Sequence, residues 1–373
     1  MHTDRNSVSV HTDRNCLWEI ARRKERFEMI KAGIVGATGY AGAELVRLIN
    51  AHPEAEVAAV SSVSFEGKKL SEVYPAYLGI NDMICENADA VVEKSDVIFA
   101  ALPHGLSQEL AAKCIGSGKA FIDLGADFRL ESEDEYHEWY GGEFLDKELH
   151  RQAVYGLPEF FRAKIRTTKL IANPGCYTTC VPLALAPAVV NGLIDLTGII
   201  ADCKSGVTGA GRGLSQGTHY PDLNEGFHPY KVASHRHTPE IEQTLCKLSG
   251  KTGVKITFVP HLLPVNRGIL ATCYARLNPG VTKAQLREIY EEFYKNEPFV
   301  RLLPDGQTAD IHNIKYSNYC DVSIFTDERT GTFIAASAID NMVKGAAGQA
   351  IQNMNIIFGL EETTGLLMTP PAF

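Results

Sequence analysis

No stretch of this 373-residue chain supplies the uninterrupted apolar residues, about eighteen, that a membrane helix needs. The nearest run, Val181 to Ile194, is too short and holds Pro182 and Pro187. Basic residues are outnumbered: 36 Lys and Arg stand against 45 Asp and Glu, a formal net charge of -9. That balance excludes a nucleic-acid binder working through a basic surface. Cysteine is present but unpatterned, with nine residues scattered from Cys16 to Cys320. An odd number without framework spacing, and no secretory leader to read, predict reduced thiols in a cytoplasmic compartment. Cys176 and Cys180 form a CxxxC pair, yet no second Cys/His pair at zinc-ligand spacing accompanies it. No metal site is expected.

What is present is ordinary apolar content, 45%, which is enough for a substantial core. The length predicts two domains, and the order of the elements allows one to be interrupted by the other. Residues 1–28 look foreign to both. His-Thr-Asp-Arg-Asn occurs twice there, at His2–Asn6 and His11–Asn15, and a charged stretch follows, so this segment is read as a disordered extension.

From Ile30 the pattern changes. Ile30 to Val35 reads as an apolar strand, Gly36-Ala37-Thr38-Gly39-Tyr40-Ala41-Gly42 as a tight turn, and Glu44 to Asn50 as an amphipathic helix. Strand, glycine turn and helix let backbone N–H groups cradle a pyrophosphate at the helix start. The spacing is GxxGxxG, with Thr38 and Ala41 in two of the usual glycine places. The next strand ends in Ser61 and Ser62, with Lys68 and Lys69 close behind, where an NAD-binding fold usually presents an acid. Hydroxyls and cations suit a 2′-phosphate, so NADP is favoured. Apolar strands at Asp96–Leu102, before Pro103, and at Ala120–Leu124 alternate with helices, predicting a parallel sheet covered on both faces. The loop Gly125–Arg129 could face the resulting cleft.

Strand Lys169–Ala172 delivers the chain to Asn173-Pro174-Gly175-Cys176, directly ahead of the apolar run Cys180–Val190. Pro-Gly breaks regular structure and the run suits a helix, so Cys176 falls at or just before a helix N-terminus. Unpaired N–H groups and the macrodipole there favour an anion, which predicts a lowered thiol pKa and a nucleophile. A buried structural cysteine beside a turn is the plainer alternative.

A second region follows. Its loop Ser205–Gly213 combines small residues with Ser205, Thr208 and Arg212, and can hold a phosphate or carboxylate. His235-Arg236-His237 precedes Thr238-Pro239-Glu240, a helix start that would hold two imidazoles and a guanidinium for acid–base and anion-binding work. Strand-rich stretches at Lys255–Leu277 and Tyr319–Ile339 predict a largely antiparallel sheet that could serve the substrate and a subunit interface. Asp340–Phe358, rich in Gly and Ala, must pack closely, and is expected to return to the first domain.

These motifs together resemble the N-acetyl-gamma-glutamyl-phosphate reductase family of the semialdehyde dehydrogenase superfamily, over Met29 to Phe373. The resemblance rests on Gly36–Gly42, Asn173–Tyr177, Gly206–Arg212, His235–Ile241 and Lys344–Gln349. It implies a Rossmann-type dinucleotide-binding domain (29–175 plus 341–373) and an α+β substrate and dimerisation domain (176–340). It also implies NADPH-dependent reduction of N-acetylglutamyl 5-phosphate to the semialdehyde, with Cys176 as nucleophile. His237, or else His235, would be the acid/base. Gly36, Thr38, Gly39, Tyr40, Gly42, Ser61, Ser62, Pro103, Asn341, Lys344 and Gly345 would hold the cofactor. Ser205, Arg212, Arg236 and Arg267 would hold the substrate. A homodimer or homotetramer is expected. The alternative is a relative acting on aspartyl or carrier-linked aminoadipyl phosphate.

Overall fold

A computed structural model describes residues 29–373, and the expected extension at 1–28 lies outside them. Seven short strands, β1 (Ile30–Val35), β2 (Ala55–Ser61), β3 (Cys85–Glu86), β4 (Val97–Ala100), β5 (Ala120–Asp123), β6 (Val154–Tyr155) and β7 (Leu170–Ala172), form one sheet in the order 3-2-1-4-5-7-6. Every pairing in it is parallel. Helices cover both faces, which is why β4 and β5 are buried at every position and read as continuous apolar runs. The strand order reverses between β1 and β4, the point at which open α/β sheets bind their ligands.

The second sheet runs in the order 12-13-14-11-8-10-9. Its strands are β8 (Ile199–Gly206), β9 (His228–Pro229), β10 (Ile256–Leu263), β11 (Ile269–Arg276), β12 (Val300–Leu302), β13 (Cys320–Asp327) and β14 (Thr332–Ile339). The pairs β8–β10 and β12–β13 are parallel and the others antiparallel. On β11, buried Ile269, Ala271 and Cys273 alternate with half-buried Leu270, Thr272 and Tyr274, so one face packs and the other stays open.

Against the packed face lies the helix Cys176–Val190. It is apolar all round and buried from Tyr177 to Val189, as a central helix must be. Its prolines leave carbonyls without their usual N–H partner. Pro187 orphans the carbonyl of Leu183, and the Tyr294 hydroxyl donates to that oxygen instead. The Tyr290 hydroxyl likewise donates to Ala184 O at 2.7 Å. Thus the helix Lys283–Tyr294 supplies the donor that Pro187 lacks.

After β14 the chain makes a π-helical turn, Val343–Ala347, and then the helix Gly348–Ile357. That helix packs against the helices Tyr40–Ile49 and Pro158–Ile165, and Ile351 and Met354 join Leu45 and Leu48 in the first domain's core.

Candidate active site

Cys176 is the first residue of its helix, with Gly175 in extended geometry at the N-cap. Two glycines make room around it. A Cβ on Gly345 would sit 2.8 Å from Cys176 Cβ. A Cβ on Gly175 would lie 2.5 Å from His237 Nε2 and 2.8 Å from Arg129 Nη1. An imidazole and a guanidinium therefore press on the backbone immediately before the thiol, and only glycine permits it.

Two cavities meet here. One, about 1060 Å³, is lined by Thr38, Gly39 and Tyr40 from the glycine turn, by Pro103, by the loop Thr208–Leu214 and by Asn341 and Gly345. The other, about 540 Å³, is lined by Ser205, Tyr177, Tyr230, Lys231, His235 and Arg236. Cys176, His237 and Arg129 line both.

The expectation of a lowered thiol pKa is corrected. Burial pushes Cys176 up to about 11. The N–H of Tyr177, the charge of Arg129 and its own N–H pull downward and do not prevail, because desolvating a thiolate outweighs a few partial charges. Near neutral pH the group therefore rests as a thiol.

Burial, reinforced by the charges of Arg129, Arg236 and Lys231, lowers the His237 pKa to about 3. Burial and then His237, Lys231 and Arg236 lower that of His235 to about 2. Both rings are therefore neutral near pH 7. His235 Nδ1 accepts the backbone N–H of His237 at 3.0 Å, which commits that nitrogen to accepting. The ring is boxed by Tyr177, Tyr230 and Phe258. The Nδ1 of His237, by contrast, is buried without a hydrogen-bond partner among the described residues. Of the pair, His237 reaches both cavities and His235 only the smaller.

The glycine turn matches its expected form. Gly36 has φ +87°, and a Cβ there would meet Ala101 O at 2.4 Å. At Gly42 a Cβ would meet Gly36 O at 2.2 Å. Thr38 Oγ1 and Ser62 Oγ lie 2.7 Å apart, and Ser61 O accepts the N–H of Gly36 and Ala37. Ser61 and Ser62 line an adjoining cavity of about 570 Å³ with Gly36. Asn341 is held by the second region, donating to Thr208 Oγ1 at 2.9 Å and accepting the Gly268 N–H at 2.8 Å.

Several assigned cations go elsewhere. Arg267 lines neither cavity. It grips Glu44 of the helix Tyr40–Ile49 at 2.6 and 3.0 Å, with Asp340 at 3.5 Å. A cation beside a buried carboxylate pairs with it before it can serve a ligand. Lys344 is fully buried, its Nζ 2.6 Å from Glu159 Oε1 and 2.9 Å from Gln352 Oε1, and it lines neither cavity. Arg212 lines the larger cavity, not the smaller, donating to Thr38 O at 2.9 Å and stacking over Tyr74 and Phe65. It stands on the side where Lys68 and Lys69 were expected to act, and those two line none of these cavities. Arg236 alone of the three arginines lines the smaller one, its Nη1 3.0 Å from His104 Nδ1.

Two residues escaped assignment. Arg129 ends the Gly125–Arg129 loop after β5, a position at a strand's carboxyl end that the alternation could have flagged. Glu240 is wholly buried. Its Oε1 accepts the Gly175 N–H (3.0 Å), the Thr178 hydroxyl (2.7 Å) and the Tyr155 hydroxyl (2.8 Å), and its Oε2 faces Arg129 Nη1 at 3.4 Å. It ties the histidine helix to the loop that leads into Cys176.

A parallel sheet with a glycine turn, joined to a mixed sheet through a thiol between two cavities, defines an oxidoreductase of the semialdehyde dehydrogenase kind. Residues 31–168 match the family model for the semialdehyde dehydrogenase NAD binding domain, and 176–341 that for its dimerisation domain. An N-acetyl-gamma-glutamyl-phosphate reductase of Clostridium beijerinckii is 55% identical over 345 residues, covering 92% of this chain and 100% of that one. One from Brachyspira hyodysenteriae is 52% identical over 353 residues, covering 92% and 100%. The chain belongs to the N-acetyl-gamma-glutamyl-phosphate reductase family. Its fold is shared with aspartate semialdehyde dehydrogenase II of Vibrio cholerae complexed with ASA (TM-score 0.68, 15% identity, 89% of this chain and 99% of that one). It is also shared with the Candida albicans enzyme with NADP (TM-score 0.65, 18% identity, 89% and 99%). Among the described residues no helix is long and apolar enough to cross a membrane.

Proposed function

We propose that this chain reduces N-acetyl-L-glutamyl 5-phosphate to N-acetyl-L-glutamate 5-semialdehyde with NADPH, a step of arginine biosynthesis. One observation carries the reading: Cys176 and His237 stand where a nucleotide-sized cavity meets a cation-lined one. The family supplies the substrate's identity.

The cofactor fits the larger cavity. Gly36 and Gly42 let the turn close tightly, against Ala101 O and Gly36 O, and so bring Thr38, Gly39 and the uncapped start of the helix Tyr40–Ile49 to the cavity wall. Gly39, Tyr40, Pro103, Asn341 and Gly345 line its walls, and Arg212, without a carboxylate partner among the described residues, offers a cation for a phosphate. When bound, the reduced nicotinamide supplies the hydride that takes an acyl group to the aldehyde level.

The chain's own residues do the rest. His237, neutral and facing the thiol's cavities, takes the Cys176 proton. The sulfur attacks the acyl carbon, a C–S bond forms, the C–O bond to phosphate breaks, and the His237 proton goes to the departing oxygen. Arg129 and the N–H groups of Cys176 and Tyr177, which also act on the thiolate, face the charge that develops. A second proton passes through His237 to the sulfur when the aldehyde leaves. An anion arriving beside Arg129 and Arg236 offsets the charges that depress His237, so substrate itself raises the base's proton affinity. Ser205 and Arg236 hold the rest of the substrate.

The open face of the second sheet, with Ile200 among its exposed apolar residues, suits a second copy. We place the enzyme in the cytoplasm as a homodimer or homotetramer. The test is the reverse reaction with NADP, phosphate and either N-acetylglutamate semialdehyde or aspartate semialdehyde. Reduction of NADP with the first and little with the second is expected, and the opposite preference would overturn the assignment.

A further inference from the structure

The smaller cavity is electrostatically one-sided. Arg129, Lys231 and Arg236 line it together with His104, His228, His235 and His237, and no Asp or Glu does. This is notable in a chain whose net charge is -9. The nearby carboxylate, Glu240, is fully engaged by three donors and by Arg129. Arg129 serves the reacting end, beside Gly175. Arg236 is steadied by His104 and the Tyr140 ring.

Lys231 has no such tether. Among the described residues its ammonium makes neither an ion pair nor a hydrogen bond, yet it lines the cavity. Its backbone is held in the left-handed region, φ +45°, as is Ala233 at φ +56°, a costly conformation for residues with a Cβ. The turn is pinned at Tyr230, whose N–H donates to Pro260 O at 3.0 Å, and closed by Ser234 N–H to Lys231 O at 3.1 Å. Its charge reaches the histidines, since it contributes to lowering the pKa of His104, His235 and His237.

We infer that Lys231, with Arg236, is the specificity filter of this site, attracting the carboxylate remote from the acyl phosphate and rejecting substrates with a free amine beside it. A guanidinium and an ammonium pair with a carboxylate, whereas an α-ammonium would meet two cations and no acid. Masking the amine as an amide removes that repulsion. The inference rests on the function proposed above and adds the residue that reads the substrate's charge.

The test is calorimetric binding to the NADP-loaded enzyme, which needs no turnover. Three stable ligands differ by one group each: N-acetyl-L-glutamate, L-glutamate (amine free) and 4-acetamidobutanoate (α-carboxylate removed). The wild type should bind the first at least about tenfold more tightly than either other, the scale of one charged contact. Lys231→Met should weaken N-acetyl-L-glutamate about 10- to 100-fold and leave 4-acetamidobutanoate within about twofold. Lys231→Glu should bring L-glutamate and N-acetyl-L-glutamate within about threefold, and Lys231→Arg should retain selectivity. Equal weakening of both acetylated ligands by Lys231→Met, or tight wild-type binding of L-glutamate, would overturn the inference. Turnover of N-acetylglutamate semialdehyde, measured separately, judges the function itself.

Discussion

The two cavities that meet at Cys176 are built on different principles. The larger is walled by glycines and small or apolar side chains, Phe65 and Met342 among them, with Arg212 and the shared Arg129 as its cations. The smaller is walled by imidazoles, phenols and cations. The first recognises shape at a helix start, where a side chain would intrude. The second presents charge, and its cations add to the burial that lowers the pKa of His237. Substitutions should therefore sort cleanly by side.

Cys176→Ser, at the shared boundary, should lower turnover by more than about 10⁴-fold while NADPH still binds, as cofactor fluorescence would report. Retained turnover would remove the thioester route. His237→Asn should cost on the order of 10²–10⁴ in kcat with the cofactor's KM unchanged. If His235→Asn proved the more damaging change, the roles of the two rings would be exchanged.

Arg267→Met tests a residue moved out of the site altogether. It leaves Glu44 buried with Arg47 as its remaining partner, so a stability loss of about 3 kcal/mol is expected in denaturant melts, with KM for the aldehyde unaltered. A raised aldehyde KM at unchanged stability would return Arg267 to the substrate. Arg212→Met should raise the KM for NADP(H) about tenfold and spare that of the aldehyde, and the reverse would blur the division between the cavities.

The mildest probe is alkylation of Cys176 by iodoacetamide in the free enzyme. Because burial holds the folded thiol pKa near 11, above that of a free thiol, the thiolate is scarce below it and the rate should climb with each pH unit through alkaline pH. A plateau near neutrality would show a preformed thiolate and restore the lowered pKa that the helix start suggests.

Much of this was legible in the chain because it depends on neighbours in sequence. Gly36 to Gly42 between a strand and a helix, and Pro174-Gly175 ahead of Cys176, are local signals of backbone geometry. The alternation of buried strands with helices is likewise local, and it gave the parallel sheet. The sidedness of the cations was not legible. Arg212, Arg236 and Arg267 all lie in loops or at a helix start with similar composition, yet one joins the glycine turn, one the smaller cavity and one a buried carboxylate. Lys344 lies next to Gly345 in the chain, but only the glycine touches the site.

By itself the sequence determined the address of Cys176, a thiol at the first turn of a helix, following a sheet strand. Backbone propensity and strand order operate over a few residues, so they can be read in one dimension. Only the tertiary structure decided what that thiol is like and which groups attend it. Burial raises its pKa despite the helix start, Arg129 and His237 arrive from segments 47 and 61 residues away, and Glu240 fastens them. Desolvation and charge pairing are set by every atom within reach in space, and those atoms come from the whole chain.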